Sequence, residues 1–289
     1  MKPFIDRAMR EAGEEEPWDG YYMTRGGEME KALEFVSVPD LGRVLDIGCG
    51  NGFTSFILLK RAKKVVAGDL YAPDAKKHSL GLNAARRFRS RFGIRDMPLV
   101  GASIKKLPFK NGVFDTVFAA YVLQYLKDRR LALGELKRVT KEDGLIILML
   151  PNFLERVWAF FQYYIYLAIK AAGLMINPRG KKGVSDGIEK LSKNYSYFPF
   201  PGPHGAYRTG AQELVRHLPA LWNKEFKENG FRIRRSFTTT FAPYPLLLTV
   251  SLKLASIVSR SFEGLTRFLG AKPIIKYLGY NYCVVLKND

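Results

Sequence analysis

The stretch Val44-Leu45-Asp46-Ile47-Gly48-Cys49-Gly50-Asn51-Gly52 sets three glycines within five positions directly after four strand-like residues. An apolar run that breaks into glycine reads as a buried strand entering a tight turn, and residues 53–62 then resume at helical spacing. Glycine in such a turn marks either a backbone conformation closed to other residues or the close approach of another group. A helix opening just beyond the turn offers unpaired N–H groups to an anionic or polar ligand. A strand, a glycine turn and a helix in that order call for an α/β sheet with a small polar ligand at the turn.

Three ligand classes use a turn of this kind. A phosphate-cradling loop ends in Gly-Lys-Ser/Thr, but this one ends in Asn51-Gly52-Phe53. A dinucleotide turn carries a third glycine for close helix packing, and Phe53 stands in that place. Beyond the first helix the chain keeps alternating. Residues 63–70 read as a strand ending in an acid, 76–92 as a basic helix, 97–103 as a short strand and 113–121 as a strand opened by Asp115. Residues 126–144 read as a helix stopped by Gly144, and 145–150 as an apolar strand closed by Pro151. Alternation implies a parallel sheet with helices on both faces, its ligand beyond the carboxyl ends of the strands.

After Pro151 the alternation lapses. The expected organisation is an amino-terminal segment over the cofactor (1–40), a cofactor-binding core (41–152), a helical insertion or lid (153–205), a continuation of the core (206–240), a second helical insertion (241–279) and a terminal core strand (280–289). Within the continuation, residues 209–230 read as one helix stopping at Gly230, followed by a strand from Phe231. Residues 281–287 read as the last strand.

Asp69 ends the second strand 17 residues after Gly52, where a carboxylate can accept hydrogen bonds from a ribose diol. Dinucleotide enzymes and methyltransferases both use such an acid. Residues 101–128 separate the two: Leu107-Pro108-Phe109 followed by Phe114-Asp115, together with Asp46 to Gly52 and Asp69, closely resembles the type-11 group of class I S-adenosylmethionine-dependent methyltransferases. That resemblance covers residues 41–152 and implies a Rossmann-like sheet, with the two helical insertions added to it. It implies S-adenosylmethionine as cofactor, S-adenosylhomocysteine as product, and no metal. Asp46 is then expected to orient the methionine ammonium, with the backbone of Gly48, Cys49 and Gly50 facing the methionine part. Asp69 is expected to hold the ribose, and Leu70 to pack on the adenine. The family's adenine-contacting acid is replaced by Ser103, so a backbone N–H of Ile104 takes its place. Ala119 and Ala120 would pass beside the sulfonium, and Tyr21, Tyr22 and Arg25 would close over the cofactor.

Methyl transfer is an in-line displacement whose transition state spreads charge, so alignment and dehydration carry much of the rate, on the order of 7 kcal/mol from positioning alone. A dedicated dyad is not required. Where the acceptor must lose a proton, Tyr121, Tyr125 and His204 are the candidates by position or type, while the amide of Gln124 can only orient. The Asn/Asp-Pro-Pro-aromatic motif of amino-methylating enzymes is absent at the fourth strand, which ends Ala-Ala-Tyr. Cytosine C5 chemistry needs a cysteine near the acceptor, and Cys49 and Cys283 are both misplaced for it.

Charge bears on the acceptor. The chain has 46 Lys+Arg against 27 Asp+Glu, +19 overall, of which residues 153–289 contribute 20 basic against 8 acidic. Such a surplus attracts nucleic acid or an anionic membrane surface. Residues 157–169 are apolar or aromatic apart from Gln162, too few for a membrane span and suited to a buried or interfacial helix. Residues 245–258 are aliphatic with basic neighbours. The expected acceptor is therefore a hydrophobic small molecule, lipid or quinone-like compound met at a membrane surface. The alternatives are a tRNA or rRNA methyltransferase using the basic helix, and a noncatalytic protein that keeps the fold for partner contacts. Two cysteines and an amino terminus without an apolar run make a cytoplasmic location the expectation.

Overall fold

A computed structural model of the chain describes residues 19–70, 81–158, 160–161, 164, 202–203, 205–241 and 264–288. Helix α1 (Asp19–Val36) leads into β1 (Arg43–Ile47), α2 (Phe53–Leu58), β2 (Lys64–Asp69), α3 (Leu82–Arg91), β3 (Leu99–Gly101) and β4 (Phe114–Ala120). Helix α4 (Arg130–Val139) precedes β5 (Thr140–Pro151), and a helix α5 opens at residue 153. Helices α6 (Gly210–Arg216) and α7 (Pro219–Glu228), β6 (Phe231–Phe237), a helical stretch over 264–269 and β7 (Asn281–Asn288) complete the described chain.

The strands form one seven-stranded sheet in the order β3-β2-β1-β4-β5-β7-β6. From β3 through β5 all pairings are parallel. β7 lies antiparallel to β5, and β6 antiparallel to β7, so the sheet is mixed where the alternation pattern alone predicts a parallel one. The order reverses between β1 and β4, and the crevice beyond their carboxyl ends is where a ligand of such a sheet binds.

Burial alternates along the central strands. Leu45, Val117, Ala119, Ile146 and Leu148 face α4 and α7 with Trp222 and Phe226, while Val44, Phe118, Leu145 and Ile147 face α1 and α2 with Met29, Phe53 and Ile57. This period of two, with helices covering both faces, explains why β1, β4 and β5 are nearly unbroken apolar runs.

Two helices differ from the pattern in the sequence. The helix expected to run to Gly144 ends at Val139: Thr140 turns to extended geometry (φ −84, ψ 139), bonds its hydroxyl to Leu136 O at 2.6 Å and pairs with Phe114 as the first residue of β5. The helix expected over 209–230 is two helices. Pro219 has no N–H to continue α6 and holds Leu218 extended (φ −62, ψ 126), so the chain restarts as α7. Of the two excursions, 157–158, 160–161 and 164 are helical, and residues 245–258 lie outside the described residues.

Candidate cofactor site

The glycine turn is closed by its own contacts. Gly48, Gly50 and Gly52 all take positive φ (79°, 57° and 85°). A Cβ on Gly48 would lie 2.1 Å from Val122 Cγ2, so the side chain excluded there is a neighbour's as well as its own. The N–H groups of Gly48 and Cys49 both donate to Gly68 O (2.7 and 3.0 Å), that of Gly52 to Cys49 O (2.9 Å), and that of Phe53 to Asn51 Oδ1 (3.2 Å). The Gly50 N–H donates to Asp69 Oδ2 (2.7 Å) and the Leu70 N–H to Asp69 Oδ1 (2.6 Å). The open N–H groups expected of the turn are thus largely spent inside it, and α2 is only six residues long. The turn is not a pyrophosphate cradle.

What it presents instead is negative charge. Asp46, fully buried on β1, accepts the Ser55 hydroxyl at 2.5 Å. Burial raises its carboxyl to about 7; the Ser55 bond opposes this and the charge of Asp69 adds to it. Asp69, at the end of β2, is also raised, by burial against the Gly50 and Leu70 N–H bonds. Among the described residues neither carboxylate has a cationic partner. A ligand carrying an ammonium, a sulfonium and a ribose diol would supply the missing positive charge and donors, whereas a diphosphate would add to the repulsion. The residues present fit S-adenosylmethionine.

The other expected positions differ in exposure. Leu70, just past β2, is 60% exposed. Ser103 turns its hydroxyl to Lys105 N (3.3 Å), and Ile104 is buried in the core. Ala119 is buried and Ala120 half-buried at the end of β4. Cys49 is buried with its thiol pushed well up by burial and by Asp46 and Asp69, so it is no nucleophile. Tyr22 belongs to α1, with its side chain, like that of Tyr21, outside the described residues; His204 lies outside them altogether.

Arg25 does reach the sheet. Its guanidinium sits 4.2 Å from the centre of the Tyr121 ring and pairs with Glu28 at 2.8 Å. Tyr121 leaves β4 in the left-handed region (φ 56°), its N–H held by Met149 O at 2.8 Å. Its hydroxyl takes Asn281 Nδ2 at 3.1 Å and donates towards Glu28 at 3.5 Å. Burial, then Glu28, holds the phenol well above its ordinary range, and Tyr125 is raised as well, by burial and Glu155. Both phenols stay neutral at physiological pH and act through hydrogen bonds.

The most distinctive stretch of sequence is a brace. Leu107 N–H donates to Glu135 Oε2 (2.6 Å), and Arg138 reaches back to Leu107 O and Phe109 O (3.0 and 2.7 Å). Phe109 meets buried Phe114 edge to face at 4.9 Å. Asp115 accepts Arg43 N–H (2.8 Å) and Lys141 Nζ (2.6 Å), tying the starts of β1, β4 and β5 together. These residues set the sheet and touch nothing in the crevice.

Sequence reasoning passed over a buried charged group beyond β4 and β5. Arg156 and Glu213 pair at 3.0 Å with almost no exposure, Glu213 also accepts Gly205 N–H (3.1 Å), and Arg156 donates to Gly202 O (3.2 Å). Ala206 N–H donates to Gln124 O (2.9 Å), which ties Ala206 to the turn after β4. Burial raises Glu155 to about 7, the charge of Arg156 opposing and those of Glu213 and Glu28 adding. The signal was Glu155-Arg156 standing inside an otherwise apolar run after β5.

Comparisons with known proteins point to methyltransferases. The family model Methyltransf_11, a methyltransferase domain, matches residues 45–148. A malonyl-[acyl-carrier protein] O-methyltransferase of Legionella pneumophila is 31% identical over 124 residues, 42% of this chain and 40% of that protein's length. A demethylmenaquinone methyltransferase of Corynebacterium urealyticum is 28% identical over 187 residues, covering 62% of this chain and 74% of that one. In fold, a chain from the Haloferax volcanii complex of the Trm112 methyltransferase activator with a methyltransferase superposes at TM-score 0.50 and 15% identity, over 91% of this chain and 89% of that one. Residues 45–148, from β1 into β5, are a methyltransferase domain of the class I, type-11 group.

Proposed function

We propose that this chain transfers a methyl group from S-adenosylmethionine to a hydrophobic small molecule, a lipid or quinone-like acceptor. The observation that carries it is the pair of carboxylates, Asp46 and Asp69, without a cationic partner among the described residues, at a turn whose amides are already bonded. When bound, S-adenosylmethionine supplies an electrophilic methyl on a positively charged sulfur. Asp69 keeps lone pairs for ribose hydroxyls while its two present bonds fix its rotamer, and Asp46 sits on the neighbouring strand for the ammonium. Leu70 covers the adenine, and the small Ala119 and Ala120 leave the path at the end of β4 unblocked. Holding the reactants in line and dry is what these residues contribute.

Demethylmenaquinone, the acceptor named in one relative, supports a greasy acceptor. The segment after 264 supports an apolar contact too: Leu265, Phe268, Ile274 and Leu278 are 43–74% exposed, beside Arg267, Lys272 and Lys276. Ile274 is the centre of a strained γ-turn (φ 68°, ψ −54°) closed by Ile275 N–H to Pro273 O at 2.8 Å. We read this edge as a peripheral contact with an anionic bilayer. No helix among the described residues is long and apolar enough to cross a membrane. A second reading, an RNA methyltransferase, is favoured by Arg86, Arg89 and Arg95 around a shallow depression of about 460 Å³.

Radiolabelled S-adenosylmethionine incubated with the protein and fractionated cell extract separates the readings. Label in the organic-extractable fraction is the expected result; label in RNA would select the second reading, and label in neither would refute both. Liposome flotation adds the membrane test: binding should weaken with salt yet keep an apolar component that Phe268→Ser with Ile274→Ser removes.

A further inference from the structure

Glu155 and Gln124 are buried acceptors that the fold leaves open. Among the described residues, Glu155 Oε2 and Gln124 Oε1 are shielded from solvent with no hydrogen-bond partner. Leaving a buried acceptor unmade is costly, and natural structures do so where a ligand completes the set. Both lie just past carboxyl ends of the sheet: Gln124 in the single turn Leu123–Tyr125 after β4, Glu155 in the first turn of α5 after β5. β4 and β5 are neighbours, with Ala120 opposite Met149. Tyr125 follows Gln124 in the chain, and burial together with the nearby charge of Glu155 raises its phenol. Gly205 and Ala206, held by Glu213 and by Gln124 O, lie against the same end of the sheet.

We propose that Glu155 and Gln124 form the acceptor subsite, in which Glu155 Oε2 receives the proton of an acceptor hydroxyl or amine while the Gln124 carbonyl accepts a hydrogen bond from the bound acceptor or its water. This rests on the methyltransferase reading above. In the step, the acceptor O–H or N–H bond breaks as its electron pair forms the new bond to the methyl carbon. The sulfur–methyl bond breaks with its electrons staying on sulfur, and the proton ends on Glu155, which later returns it to solvent. Charges balance: a cationic sulfonium and a carboxylate become a neutral thioether and a carboxylic acid.

The surroundings suit the role. Arg156 is adjacent but already engaged by Glu213, so Glu155 has no dedicated counter-ion among the described residues. Glu28 and Arg25 from α1, Glu213 from α6, Tyr125 beyond β4 and Tyr280 before β7 complete the titratable and charged groups that act on it or on which it acts. Their balance leaves a carboxyl that changes state near neutral pH, where a general base is most effective.

The test uses 2-naphthol, with naphthalene and 2-methoxynaphthalene as probes lacking the hydroxyl, titrated by fluorescence in the presence of S-adenosylhomocysteine. The expected result is that the wild-type protein prefers 2-naphthol to both by tenfold or more, and that Glu155→Gln cuts the preference to threefold or less with S-adenosylhomocysteine affinity unchanged. In the wild type, 2-naphthol binding should strengthen through about pH 7 as Glu155 ionises, while naphthalene binding stays flat. Equal binding of all three probes by a folded wild type, or an undiminished preference in Glu155→Gln, overturns the subsite. Should Glu155→Gln not fold, the wild-type pH profile decides alone: a flat 2-naphthol curve refutes the proposal. Failure of the wild type to bind S-adenosylhomocysteine at all would instead refute the methyltransferase reading.

Discussion

At the scale of single residues, Gly48 shows two demands meeting at one atom. A side chain there would adopt positive φ, at about 1–2 kcal/mol, and would drive its Cβ into Val122 Cγ2 at 2.1 Å. Gly48→Ala should therefore lower stability by roughly 2–4 kcal/mol, and adding Val122→Ala should return the steric part, a coupling of about 1 kcal/mol or more in a denaturant-melt cycle. Strictly additive costs would mean that backbone conformation alone selects glycine. Asp46 carries a pH prediction. Its folded carboxyl, near 7 against an ordinary 3.8, favours the protonated form, so its stabilising contribution is present below pH 4 and is lost as pH rises to 7. Asp46→Asn can still accept the Ser55 hydroxyl bond and cannot ionise. Its melting temperature relative to wild type should climb from pH 4.5 to pH 7.5, by the equivalent of roughly a few kcal/mol. A constant difference across that range would place an ionised, well-compensated Asp46 in the folded protein.

At the scale of elements, the joint between β4, β7 and the strand exit after β6 is held by one amide. Asn281 accepts from Thr239 N–H (2.9 Å) and Thr238 Oγ1 (3.0 Å), and donates to Thr239 Oγ1 (2.6 Å), all buried, and to the partly buried Tyr121 hydroxyl (3.1 Å). Asn281→Ala strands several buried groups at once and should cost roughly 2–4 kcal/mol, read as a lower melting temperature. A change under 0.5 kcal/mol would show that the joint is held by packing. Local pattern announced the strands on either side of this joint: buried alternating faces give apolar runs, and glycine gives the turn. The joint itself was not legible, because an asparagine opening a strand looks like any turn residue until its partners, 42 and 160 positions away, are brought to it. The split of α6 from α7 was legible in Pro219, and the apolar spacing across it concealed the break. Glu155 was hidden differently, since a lone acid in an apolar run acquires meaning only once its burial and its unbonded oxygen among the described residues are seen.

At the scale of the whole molecule, the parallel half of the sheet, β3 to β5, holds Asp46 and Asp69, and the antiparallel pair β7 and β6 extends the sheet beyond β5. Of the subsite proposed above, Glu155 lies after Pro151, outside the segment 45–148 that matches the methyltransferase domain, while Gln124 lies within it, so the match bears on the cofactor more sharply than on the acceptor. The surplus of basic residues follows the same division, concentrated in residues 153–289. The claim on which the rest depends is that Asp46 and Asp69 make this crevice a site for a cationic adenosyl ligand and not for a dinucleotide. Isothermal titration calorimetry of the purified chain against S-adenosylmethionine, S-adenosylhomocysteine and NAD tests it directly. The account predicts one site for each of the first two, no heat from NAD, and a loss of tenfold or more in Asp69→Ala, whose carboxylate bonds are worth about 1.5–3 kcal/mol each. Tight binding of NAD with none of S-adenosylmethionine would contradict it.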